Sequence, residues 1–147
     1  MTRTFAICTC VVALAASCGR DIEKRAVEKA VERASGGEVE DLSIAGDKEA
    51  SIPDGFPADV HILEPSRIEA AFKTPQGYSV SLLIEQDADK VAALYRKKMA
   101  EHGWTEGSSM DLGEVVTIAF AKGERKAAIS VVWDDDRTRV SVTVMGE

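Results

Sequence analysis

Val116-Thr117-Ile118-Ala119-Phe120-Ala121-Lys122-Gly123-Glu124-Arg125-Lys126-Ala127-Ala128-Ile129-Ser130-Val131-Val132-Trp133 is the stretch on which the fold turns. Val116, Ile118 and Phe120 alternate with smaller or polar residues, as do Ala127, Ile129, Val131 and Trp133, and a period of two marks a half-buried strand. The link Lys122-Gly123-Glu124-Arg125 has room only for a tight turn, so the two runs are antiparallel neighbours. Asp134-Asp135-Asp136-Arg137 then leads to a third alternating run, Val140, Val142 and Val144, and the three make a meander.

Upstream the period changes. Val91, Leu94, Tyr95 and Met99 fall on one side of a helix that Asp87 or Asp89 caps, with His102 in its last turn and Gly103 just past its end. Before it, Ile68, Ala70 and Phe72 alternate with Arg67, Glu69 and Lys73; Thr74-Pro75-Gln76-Gly77 is a turn; Tyr78, Val80, Leu82 and Ile84 alternate with Ser79 and Ser81. The expected domain is therefore α+β, a five-stranded antiparallel sheet in the order β-β-α-β-β-β with one helix on its apolar face. Ile52-Pro53-Asp54-Gly55-Phe56-Pro57 leads into it as extended chain, because each proline excludes helix at the residue before it. Val39, Leu42 and Ile44 ahead of Gly46-Asp47 suggest a small hairpin. Further back, Ile22, Ala26, Val27, Ala30, Val31 and Ala34 form one apolar stripe behind Asp21, an amphipathic helix that Ser35-Gly36-Gly37 stops.

The first residues read as a leader. Arg3 is followed by an uncharged run from Phe5 to Ala16, about the length of a signal-peptide core and short for a ~30 Å hydrocarbon span. Ala15-Ala16-Ser17-Cys18 resembles the lipobox of bacterial lipoproteins, which makes Cys18 the lipidation site. Cys8 and Cys10 lie inside the leader, so cleavage leaves Cys18 alone and no disulfide within the chain. An ordinary secretory signal cut near Ala16, which leaves Cys18 a free thiol, and an uncleaved anchor are the competing readings. The parts are then a leader over 1–17, a lipid anchor and helix over 18–37, a small hairpin and proline-bounded approach over 38–57, and the α+β domain over 58–147.

The formal charge is −7, and losing 1–17 with Arg3 makes it −8. An acidic chain without clustered Lys and Arg has no counterion-release term to drive binding to nucleic acid. The 147 residues suit one core, and 45% apolar with 29% charged composition is that of a globular domain that needs no metal or disulfide to fold.

The order of features resembles a family of small, uncharacterised bacterial exported lipoproteins. The residues that carry the likeness are Val27 to Gly37, Ile52 to Val60, Val91 to Tyr95, and Gly103-Trp104 closing the second helix. The resemblance implies a location and an architecture, and no activity or cofactor.

Chemistry is sparse. The serines lack a nucleophile elbow, and the mature chain keeps no free thiol. His61 and His102 have no metal-ligand spacing, and no metal or cofactor is expected. Asp134, Asp135 and Asp136 lack the Gly and the distal Glu of a dedicated calcium loop, so a hairpin tip is the simpler account. Tyr78, Trp104 and Trp133 are read as core packing rather than a stacking platform. One face of the sheet is left polar and small: Arg67, Glu69, Lys73, Ser79, Ser81 and Arg139, continued by Thr117, Ser130, Ser141 and Thr143. It is the candidate partner-binding face, although antiparallel sheets commonly leave one side wet.

The expected protein is a non-enzymatic binding or scaffolding lipoprotein of the cell envelope, held to the outer membrane through its N-terminal lipid and facing the periplasm. The alternative is a small periplasmic enzyme or enzyme inhibitor working from the polar sheet face. A soluble ligand-binding domain is a third class and needs a concave pocket of ~300 Å³ or more.

Overall fold

The computed structural model describes residues 39–46, 49–134 and 136–146, together with Lys29. The expected N-terminal helix and the leader lie outside the described residues. Seven strands and one helix follow in the order β1 (Asp41–Ile44), β2 (Arg67–Thr74), β3 (Gly77–Ile84), α1 (Ala88–Glu101), β4 (Thr105–Asp111), β5 (Val115–Lys122), β6 (Arg125–Asp134) and β7 (Arg137–Met145). The strands make one antiparallel sheet of order β1-β2-β3-β7-β6-β5-β4. The α+β class and the single helix are as expected, and the sheet has seven strands rather than five.

Both additional strands are at the edges. β1 lies in the segment expected to form a small hairpin, but it pairs with β2, Leu42 opposite Phe72 and Ile44 opposite Ala70. β4 is exposed at all seven positions, so it shows no apolar alternation, and it holds to β5 through backbone pairing. Its sequence, Thr-Glu-Gly-Ser-Ser-Met-Asp, gives a period-two reading nothing to detect.

The inner face of the sheet carries the core. Val80, Leu82, Ile118, Ile129, Val131, Val140 and Val142 are fully enclosed there, and Val91, Ala92, Tyr95 and Met99 of α1 pack onto them. Burial of a Val, Leu or Ile side chain is worth about 1.5–3 kcal/mol each, and this layer is the main source of stability. α1 lies across β4, β5 and β6. The irregular strap from Ala50 to Leu63 covers the rest: Ala50 donates its N–H to Ile68, Phe56 meets Tyr78 edge to face at 5.8 Å, and Val60 and Leu63 are buried.

Two irregularities set which side chain faces which way. A bulge between Ile68 and Ala70 places Glu69 as an extra residue in β2 and shifts the alternation by one. Ile68 and Ala71 therefore face the core, opposite Leu82 and Val80, while Phe72 stands outside opposite Ser79. This corrects the uninterrupted alternation of Ile68, Ala70 and Phe72. At the β2–β3 turn, Gly77 has φ +152°, and a Cβ there would fall 1.8 Å from the Val144 carbonyl oxygen. Only glycine lets β3 and β7 close at that point.

α1 starts after Asp87, whose side chain makes no cap bond and instead pairs with Lys90. It ends at His102, with Gly103 at φ +81° reversing the chain so that Trp104 can donate its N–H back to Met99.

Candidate functional site

Arg139 stands between two carboxylates on the outer face of the sheet: its Nε lies 3.0 Å from Glu69 and its Nη1 3.1 Å from Asp134. Glu69, the extra residue at the β2 bulge, keeps the face of Arg67, and the bulge reverses the residues that follow it. From there the outer face runs inward over Ser81, Ser141 and Ser130, which are directly opposite one another on β3, β7 and β6, and over Ser79, Thr143 and Ala128 in the next row. Ser79 and Thr143 hydroxyls meet at 3.3 Å. Short side chains here let the backbone lie open, with Leu42, Phe72 and Leu83 half-buried toward the β1 edge.

Of the six residues expected on this face, Arg67, Glu69, Ser79, Ser81 and Arg139 are on it. Lys73 is on the other. It sits opposite Tyr78, with its ammonium 5.9 Å from that ring and 3.3 Å from Glu40, because the bulge reverses the alternation.

Open clefts border the face at one end. Leu83 and Arg137 line both a cleft of about 420 Å³ shared with Arg67 and Glu85 and one of about 170 Å³ shared with Glu69 and Arg139. A further cleft of about 590 Å³ lies behind Pro65, between Glu49, Ile52, Ile62 and Ile68.

A second cluster, missed in the sequence, joins the strap to the domain. Asp59 accepts from both terminal nitrogens of Arg125, at 2.9 and 2.5 Å, and from Lys122 at 2.6 Å. The Asp59 carbonyl takes the Trp104 indole N–H at 2.8 Å, and the Arg125 guanidinium lies over that ring at 5.1 Å. The hydrogen bonds from Arg125 hold the Asp59 carboxyl well below the ordinary carboxylate range, Lys122 adding to this against the cost of burial. With every acceptor engaged, the cluster is a fastening rather than an acid or base. It explains why Ile52 to Val60 and Gly103-Trp104 stand out together: Asp59 and Trp104 are partners. Lys122 and Arg125 flank a turn, and their spacing alone carried no signal.

His61 and His102 are brought together, rings nearly parallel with centroids 6.0 Å apart. Burial lowers the His61 pKa from 6.5, and Lys98 and His102 lower it further. Among the described residues no group of three or more His, Cys, Asp or Glu is placed to hold a metal. Asp134 and Asp136 engage Arg139 and Arg137, and Asp135 lies outside the described residues. Trp104 and Tyr78 are core residues as expected, whereas Trp133 is 38% exposed at the rim. Among the described residues no helix is long and apolar enough to cross a membrane.

The geometry is that of an α+β domain whose sheet is covered on one side and open on the other. Residues 67–144, from β2 to β7 and just over half of the chain, match the START domain-like family, and the chain belongs to it. No curated relative and no solved structure matches.

Proposed function

We propose that this chain is a non-enzymatic binding module of the bacterial cell envelope, carried on lipid attached to Cys18 and docking another envelope component on the outer face of its sheet. The observation that carries the reading is the open face itself: Ser79, Ser81, Ser130 and Ser141 form a low floor, and Arg67, Glu69 and Arg139 stand at one end of it. Buried serines would need fixed partners, but these are half-exposed and can exchange water for a ligand at little cost. START-like domains are generally binding domains, which favours recognition over catalysis. The Ala15-Ala16-Ser17-Cys18 leader end and the acidic charge of −7 support a terminal tether over broad contact with an anionic bilayer.

Two experiments test this. A palmitate analogue fed to cells is expected to label the native chain and not Cys18→Ala; equal labelling removes the anchor. A photo-crosslinking residue at Ser141 is expected to trap a discrete envelope partner, and one at exposed Asp54 to trap none. Identical products from both sites, or none from either, remove the docking face.

The family match favours a second reading, binding of a small ligand, and the cleft of about 590 Å³ behind Pro65 offers the space for it, with Ile68 alone of its lining inside the matched residues. It exceeds the ~300 Å³ that a ligand site needs. Ile52→Arg is expected to abolish such binding and to leave the Ser141 crosslink intact.

A further inference from the structure

Arg67 and Arg137 line one cleft of about 420 Å³, at the end of the outer face where Leu83 forms a wall. Two guanidinium groups sharing a concavity repel each other unless an anion lies between them, and Glu85, the one carboxylate that lines the same cleft, pairs with neither. The Arg67 side chain has no ion-pair or hydrogen-bond partner among the described residues. Arg137 is engaged through Nε alone, at 3.3 Å, by the neighbouring and highly exposed Asp136. Both therefore keep their terminal nitrogens unspent, in contrast to Arg125 and Arg139, whose donors are taken up by Asp59, Glu69 and Asp134.

The adjoining cleft has the opposite balance. Glu69, Asp134 and Asp136 line it against two cations, Arg139, which is shared between Glu69 and Asp134, and Arg137, which reaches Asp136 through Nε alone and also lines the first cleft. An anionic surface brought up to Arg67 and Arg137 meets this acidic neighbour at once. An extended chain with an acidic side chain followed by a basic one satisfies both clefts.

We infer that the Arg67–Arg137 cleft receives an acidic side chain of an extended polypeptide partner, with a basic residue of the same segment set against Asp134 and Asp136. The inference rests on the outer face being the docking surface and names the chemistry it selects. Arginine supplies a fork of donors matched to a carboxylate, and Leu83 and Pro65 give the stem of the acidic side chain an apolar wall.

The test uses the full chain and an acetylated, amidated peptide with a glutamate followed two residues later by a lysine. The same peptide with glutamine for glutamate, inorganic phosphate, and phosphatidylglycerol vesicles are run beside it. The expected result is saturable shifting of the backbone amide signals of Arg67, Leu83 and Arg137 by the acidic peptide. The glutamine peptide, or either R67Q or R137Q, should weaken binding about tenfold, the loss of one charge-assisted contact. Both arginines are exposed, so the variants keep the fold. Equal binding of phosphate leaves an adventitious ion only; binding of vesicles alone makes the surface a membrane contact; no saturable shift overturns the inference. A Ser141 crosslink that persists through any of these negative results sinks the peptide cleft and leaves the docking face standing.

Discussion

Asp59 and Arg125 face each other through two parallel hydrogen bonds across 66 positions of sequence, and the pair ties the strap to the β5–β6 turn. Both side chains are about one-quarter exposed, so the bond is partly shielded from solvent. Replacing Asp59 by Asn leaves Arg125 and Lys122 without a counter-charge and is expected to cost about 2 kcal/mol, less than a fully buried pair. The folded-state pKa is depressed below the ordinary 3.8, so the pair's contribution is complete above that value and is lost as pH falls through the folded pKa. Denaturant melts should show an acid limb below about pH 4 in the native chain that is reduced in D59N. An unchanged acid limb would show that the fastening carries no stability.

Gly77 is a more severe test of the sheet. With the Val144 carbonyl oxygen 1.8 Å from where a Cβ would sit, G77A must push β3 away from β7 at the centre of the sheet. The expected loss is about 3 kcal/mol, at the upper end of overpacking effects. A melting temperature within a degree or two of the parent would mean that the turn relaxes freely.

Tyr95 is fully buried, and its hydroxyl points toward the backbone at Leu63 without a hydrogen bond of good geometry. Burial pushes its pKa far above the usual 10.0. In an alkaline spectrophotometric titration this tyrosine should ionise only when the chain unfolds. Tyr95→Phe removes a desolvated hydroxyl and should leave stability unchanged or raise it by up to about 1 kcal/mol. A large loss instead would reveal a strong bond to the strap.

His61 should tilt stability in the same direction as Asp59, but nearer neutral pH. Its pKa is lowered from 6.5 on folding, by burial first and then by Lys98 and His102, with Glu101 and Glu64 opposing. The unfolded chain then binds more protons, and stability falls as pH drops through 6.5 toward the folded value. H61Q should flatten this slope between neutral and mildly acidic pH. A slope unaltered in H61Q assigns it to other groups.

The meander and the helix were legible because buried positions there recur strictly, at every second residue in β5, β6 and β7 and on one side of α1. Where alternation breaks, the reading breaks with it. One inserted residue at Glu69 turned Phe72 outward and Lys73 inward, and periodicity has no means of sensing a bulge before the partner strand is known. β4 was invisible for a different reason: an exposed edge strand is held by backbone pairing, to which side chains contribute little. Among site residues, Arg67, Glu69 and Arg139 share a face that strand phase could assign. Arg137 and Asp59 act through contacts across the chain that no local pattern encodes.

Sheet order has a mechanical corollary. The chain arriving from its N-terminal side joins the sheet at β1, one margin, while β4 forms the opposite margin. Seven strands spaced ~4.8 Å apart put ~29 Å between them, comparable to the thickness of a bilayer's hydrocarbon. On the anchoring proposed at Cys18, a leash would thus meet the sheet at one rim, and the far rim would present itself to neighbours well beyond that point of mooring.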